Sequence, residues 1–171
     1  MGEREDRFTR LFASAYGPLW AYARRRVPAS DVDDIVAEVL TVAWRRLDHV
    51  PDDESSLAWL YGVAYKVVGN HLRSQRRRLR LAARLAAEPA SAEPSSDPGV
   101  IEALSALRPE DREVLRLAAW EGLGAPQIAI VLGCSSNAAA LRLSRARARL
   151  RDRLTGSASS RTQARRKEID V

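Results

Sequence analysis

Residues 86–100, AAEPASAEPSSDPGV, divide this chain in two. Their alanine, serine, glutamate and proline side chains bury almost no apolar area, and Pro89, Pro94 and Pro98 keep the backbone extended. The chain on either side is helical in pattern, and no alternating Val/Ile/Thr run between turn residues marks a strand. The expected fold is therefore all-α: two small helical domains joined by a flexible linker. The expected boundaries are 1–86 and 100–154 for the domains and 87–99 for the linker. A disordered basic tail, TGSASSRTQARRKEIDV, is expected over 155–171.

Each helix follows from spacing and end signals. Phe8, Leu11, Phe12, Ala15, Leu19, Tyr22 and Ala23 form an apolar stripe over residues 5–26, with a break predicted near Gly17–Pro18. Ser30 and Asp33 read as a capping-box start for a helix reaching about Leu47. That helix is apolar on most sides and keeps one polar stripe, Asp34, Glu38, Thr41 and Arg45. After the loop HVPDDESS, a third helix is predicted from about Leu57 to Arg84. Beyond the linker come Val100–Leu107, Pro109–Glu121, Pro126–Leu132 and Ser136–Leu154.

Charge is segregated along the chain. RSQRRRLRLAAR (73–84) holds six arginines and no acid, and RLSRARARLRDR (142–153) holds six arginines and one acid. Residues 31–54 reverse this, with eight acids against Arg45 and Arg46. Such separation suits one surface to a polyanion and another to a basic protein partner. No apolar run approaches the ~18 residues of a membrane span, so no membrane insertion is expected. MGEREDRF lacks the order of a signal peptide, and Asp6 stands where a myristoylation site wants Ser or Thr. The expected location is cytoplasmic.

One cysteine, Cys134, excludes an internal disulfide, and with only His49 and His71 there is no Cys/His zinc set. Asp31, Asp33, Asp34 and Glu38 are a poor metal set, and Cys134 reads as a packing residue rather than a redox thiol. No paired acids, nucleophile–base pair or metal cluster points to an enzyme. Neither metal nor cofactor is expected.

IAIVLGCSSNAAALRLSR (128–145) carries the most specific turn chemistry. Pro126 suits the first position of a helix, Gly133 its left-handed end, and Ser135 the cap of the next helix. This is the pattern of a helix-turn-helix, whose second helix lies in a DNA groove. Arg142, Arg145, Arg149 and Arg153 recur at helical spacing, as phosphate contacts do, although a solvated helix face gives the same pattern. The reading turn itself is Ala138, Ala139, Ala140 and Leu141, poor in hydrogen-bonding groups.

The longer stretch LSALRPEDREVLRLAAWEGLGAPQIAIVLGCSSNAAALRLSRARARLRDRL resembles region 4 of the extracytoplasmic-function (ECF) group of bacterial RNA polymerase sigma factors. FTRLFASAYGPLWAYARRRV, DVDDIVAEVLTVAWRRL and LAWLYGVAYKVVGNHLRSQRRR resemble three successive segments of region 2. The resemblance covers residues 8 to about 154, in the family's order. It implies a region 2-like bundle and a region 4-like helix-turn-helix. The implied partners are core RNA polymerase and promoter DNA, and a cognate anti-sigma factor is compatible with the resemblance.

The resemblance also distributes roles. Asp34, Glu38, Thr41 and Trp44 fall on the helix that family members dock on the polymerase clamp. Ala37 replaces the family's usual glutamine there. Trp59, Tyr65, Lys66, Asn70 and Arg73 fall on the segment that melts and holds the promoter −10 element, with Pro51–Ser56 and Asn70 around a flipped base. Trp59, Tyr61 and Tyr65 offer flat walls for stacking and Asn70 an amide for a base edge; core packing is the alternative for Trp59. The loop reads DDESS instead of the family's basic RGES type. For the −35 element, Ser136, Asn137, Ala140, Leu141, Arg142, Ser144, Arg145 and Arg149 face DNA. Ala140 stands where relatives often carry Lys or Arg. A plain helix-turn-helix repressor or activator, the rival reading, needs none of Glu38, Trp59 and Asn70.

Overall fold

The computed structural model describes the backbone of residues 2–82 and 98–169, and the side chains of 2–79, 100 and 102–155. Most of the linker and the last two residues lie outside these. Among the described residues there is no strand. The helices are α1 (Glu3–Arg24), α2 (Val32–Arg45), α3 (Ser56–Ala82), α4 (Pro98–Ser105), α5 (Pro109–Ala119), α6 (Ala125–Leu132) and α7 (Ser136–Ile169). The fold is all-α, and it divides into two compact units.

In the first unit, α1, α2 and α3 pack on one another. Their core is Ala15, Leu19 and Tyr22 from α1, Ile35, Val36, Val39 and Ala43 from α2, and Leu60, Ala64, Val67 and Val68 from α3. Tyr22 and Tyr61 stack at 5.2 Å between ring centroids. Burying the leucine, isoleucine and valine side chains among them contributes roughly 1.5–3 kcal/mol each, which sets helix register more firmly than propensity does.

Two local expectations are corrected here. α1 runs through Pro18 without the break predicted at Gly17–Pro18. Proline removes one backbone donor, but the carbonyl left without it belongs to exposed Ser14, which water reaches. Nor is there a capping box at Ser30. Residues Ala29–Asp31 form a 3-10 turn, and the Ser30 hydroxyl donates to Asp31 Oδ1 at 2.9 Å instead.

The second unit packs α4 and α5 against α7, around Ala103, Leu107, Val114, Leu117, Ala139, Leu143 and Ala146. Arg112 closes the carboxyl end of α4, donating to the carbonyls of Leu104, Ser105 and Leu107 at 3.0, 2.6 and 3.2 Å. The last carbonyls of a helix lack partners within it, and the Leu104 carbonyl also accepts from the Leu107 N–H at 3.1 Å. α7 is longer than predicted: its backbone continues past Leu154 to Ile169, and its side chains from residue 156 on lie outside the description. Gly156 is the one poor helix former at that junction, and one glycine costs only about 1 kcal/mol.

Candidate functional site

Three surfaces carry the residues singled out by the sequence. The first is the outer face of α2. Asp34, Glu38, Thr41 and Trp44 are all exposed, while Ile35, Val36, Val39 and Ala43 turn inward. The Thr41 hydroxyl is spent on the Ala37 carbonyl at 2.8 Å. Trp44 is edge-on to Phe8 at 5.1 Å and lies under the Arg4 guanidinium, which also donates to the Trp44 carbonyl at 2.8 Å. Trp44 is thus fixed in place by α1 while 37% exposed. Asp33 accepts from Trp20 Nε1 at 3.1 Å. Asp34 and Glu38 have no partner among the described residues, which leaves two solvated negative charges one turn apart.

Beside this face lies a feature the sequence reading missed. Phe12, Tyr16 and Trp20 are 42, 40 and 38% exposed. Phe12, one of the apolar stripe on α1, lies outside the core: it stacks on Tyr16 at 5.3 Å and leans on Phe8 at 6.4 Å. The four-residue spacing of 8, 12, 16 and 20 is visible in the sequence, but two apolar rows compete on α1 and periodicity does not say which one is buried.

The second surface is one face of α3. Trp59, Lys66, Asn70 and Arg73 recur at helical spacing and share a face; Trp59 is half-buried and the other three are exposed. Tyr65 is half-buried and lies off that row by about one residue's rotation, ~100°. Tyr61, offered above as a stacking wall, is corrected: it is 3% exposed and packed on Tyr22. The amide oxygen of Asn70 accepts from Arg73 Nη2.

The loop before α3 is held at both ends. Arg7 Nη2 donates to the Val50 carbonyl at 2.7 Å, and its Nε lies 3.7 Å from Asp52. Asp53 accepts from the Ser55 backbone and hydroxyl at 2.8 and 2.6 Å, and these bonds hold its pKa below the ordinary carboxylate value. Sequence reading passed over Arg7, since its partners are more than forty residues away. At the other side of the unit, Asp31 accepts from Gln75 at 2.7 Å and pairs with His71 Nε2 at 2.8 Å, joining the start of α2 to α3.

The third surface is α7 with the turn before it. Gly133 adopts φ +64°, the Cys134 N–H reaches the Ala129 carbonyl at 3.0 Å, and the Gly133 N–H reaches that of Ile130 at 3.4 Å. That is a Schellman end, and the left-handed residue it needs is glycine. Ser135 Oγ then accepts from the Ala138 N–H at 3.2 Å, capping α7. At the start of α6, Gln127 reaches back to the Gly124 N–H at 3.0 Å, and Pro126 sits second in the helix, not first. Cys134 is half-buried.

Ser136, Asn137, Ala140, Leu141, Arg142, Ser144, Arg145 and Arg149 are all exposed, and Ala139, Leu143 and Ala146 face inward. They are not equivalent. Arg149 Nη1 lies 2.6 Å from Oδ2 of Asp111, whose side chain is 12% exposed. An open groove beside the amino end of α6 is lined by Ala125, Ala140, Leu143, Ser144, Arg147, Ala148 and Arg151. Among the described residues no group of three or more His, Cys, Asp and Glu is arranged to hold a metal ion, and no helix is long and apolar enough to cross a membrane.

Residues 11–78 match the family described as Sigma-70 region 2, and residues 99–150 match Sigma-70, region 4. RfaY of Xanthomonas campestris pv. campestris, a probable RNA polymerase sigma factor, is 35% identical over 142 residues. The match covers 76% of this chain but only 35% of RfaY. The RNA polymerase sigma factor CnrH of Cupriavidus metallidurans is 32% identical over 140 residues, 72% of this chain and 73% of CnrH. The solved structure of CnrH in complex with the cytosolic domain of CnrY superposes with a TM-score of 0.62, covering 87% of this chain and 88% of that one at 32% identity. The ECF RNA polymerase sigma-E factor of Escherichia coli K12 is 37% identical over 79 residues, 46% of this chain and 34% of that protein. The chain belongs to the ECF group of bacterial RNA polymerase sigma factors, the promoter-recognising subunits of that enzyme.

Proposed function

We propose that this chain works as an alternative sigma factor with its tasks divided among the three surfaces, and that it carries out no catalysis of its own. Residues 1–86 form the docking and −10 domain, 87–99 the linker, 100–154 the −35 domain, and 155–171 a basic tail. Asp34 and Glu38, flanked by Thr41 and Trp44, meet a basic helical surface of core RNA polymerase. The single observation that carries the reading is the pairing of that acidic face of α2 with the Lys66–Asn70–Arg73 face of α3 in one small bundle. A repressor that never docks on polymerase has no use for the first.

On α3, Lys66 and Arg73 hold backbone phosphates, Trp59 and Tyr65 wall the single strand, and Asn70 meets the edge of a base displaced from the duplex. On α7, Asn137, Ser144 and Arg145 offer polar contacts to base edges. Ala140 and Leu141 offer only apolar contact, for instance to thymine methyls. Ser136 and Arg142 contact phosphates and set register. Arg149, paired with Asp111, takes no part in this reading. The site of action is the bacterial cytoplasm, where polymerase and promoters are. The CnrH structure contains the cytosolic domain of CnrY, which supports a regulatory protein partner of anti-sigma type here too.

Run-off transcription with purified core enzyme tests the reading. Wild-type chain should direct initiation from a cognate promoter, and Glu38→Arg should not. Promoter binding by the chain with no transcription under any core supplied would favour the repressor instead.

A further inference from the structure

We infer that Arg147 and Arg151, and not Arg149, supply the second row of DNA-backbone contacts beside the −35 reading face of α7. The inference rests on the −35 assignment of this helix.

At about 100° per residue, the exposed surface of α7 sorts into three strips. Asn137, Leu141, Arg145 and Ala148 face outward. Ala140, Ser144, Arg147 and Arg151, at spacings of four, three and four, make one flank, along which the base contacts of Ala140 and Ser144 lead on to Arg147 and Arg151. Arg142, Arg149 and Arg153 make the opposite flank, and Ala139, Leu143 and Ala146 close the inside. The reading strip therefore has arginines on both sides, as a helix lying between two phosphate backbones needs.

The two flanks differ in what their arginines are free to do. Arg149 holds Asp111 at 2.6 Å. Moving it to a phosphate would leave a nearly buried carboxylate without its cation, which is strongly unfavourable. Arg147 and Arg151 are exposed, and neither guanidinium has a hydrogen-bond or ion-pair partner among the described residues. They line the groove that also contains Ala140 and Ser144, and no acidic side chain lines it.

Position along the axis agrees. At 1.5 Å per residue, Arg147 and Arg151 lie roughly 10 and 16 Å beyond Ala140. A major groove is about 12 Å wide. A helix whose first turns face base edges brings side chains two to three turns further on to the phosphates that bound the groove. Arginine's planar donor fork suits that contact.

The test is salt-dependent binding of the full chain to a duplex selected from a random-sequence pool by the wild-type protein. Each lost phosphate contact lowers the slope of log K against log salt by about 0.9. Arg147→Ala with Arg151→Ala should lower it by about 2, with unchanged thermal melting. Arg149→Ala should melt earlier with its slope unchanged, and Arg149→Lys, which keeps a cation for Asp111, covers the case of a variant that does not fold. An unaltered slope in the double variant, or a slope lowered by about 1 in Arg149→Lys, overturns the inference. A wild-type chain that selects no duplex overturns the −35 assignment itself, and the inference with it.

Discussion

Arg73 donates from its guanidinium to the amide oxygen of Asn70, one turn earlier on α3. Arginine only donates, so this contact fixes which end of the amide is which and presents the Asn70 NH2 as the free group. A base held there is read through an acceptor. Asn70→Ala should reduce open-complex formation on duplex promoter, by permanganate footprinting, more than it reduces core binding, with a cost on the order of 1–3 kcal/mol for the lost base contact. Asn70→Asp keeps an oxygen for Arg73 but loses the donors, and should be as defective as alanine. Full activity of the aspartate variant would show that Asn70 only positions Arg73.

Glu38 stands on the outward face of α2 without a partner among the described residues. Glu38→Arg should abolish co-elution with core polymerase while leaving helicity unchanged, because exposed substitutions seldom move stability by more than about 0.5 kcal/mol. Co-elution at wild-type strength would remove α2 from the docking surface.

Arg7 carries the base of the 51–55 loop through the Val50 carbonyl. A charge-assisted bond of this kind is worth about 1.5–3 kcal/mol when well buried, and less at this half-buried site. Arg7→Met should lower the melting temperature modestly and flatten the preference among −10 bases, with −35 binding unchanged. An equal loss of activity on all −10 sequences would mean that Arg7 contributes stability alone.

Asp31 is held below its ordinary pKa, first by the hydrogen bond from His71 and then by that from Ser30, with Gln75 adding to it. A carboxylate whose pKa is depressed on folding stabilises the fold above its unfolded pKa and loses that contribution as pH falls through the folded value. The melting-temperature gap between wild type and Asp31→Asn should therefore be constant near neutrality and close as pH falls below about 4. A gap that persists unchanged in acid would show that the ionised state of Asp31 is not what joins α2 to α3.

The reading turn offers Ala140 and Leu141 where hydrogen-bonding side chains would discriminate bases. Single changes across the −35 element should therefore each cost less than the usual ~1–3 kcal/mol per base pair. Steep penalties at several adjacent positions, measured by competition binding, would contradict this.

The sequence by itself determined what is local along the chain. Gly133 and Ser135 specify the turn into α7, since one supplies a positive φ and the other an oxygen for the freed N–H of Ala138. Apolar spacing specified the helices of both units, and the clustering of acids and arginines specified which helices carry which charge. Tertiary structure decided what depends on neighbours far away in sequence. Periodicity shows that α1 carries apolar rows, but only packing against α2 and α3 selects Ala15, Leu19 and Tyr22 for the core and leaves Phe12 and Tyr16 outside. The same packing took Tyr61 inward. Helical spacing made Arg149 look equivalent to its neighbours, and Asp111, thirty-eight residues earlier, removed that equivalence. A side chain's availability depends on which partners the fold brings within hydrogen-bond distance, and spacing along one helix carries no information about them.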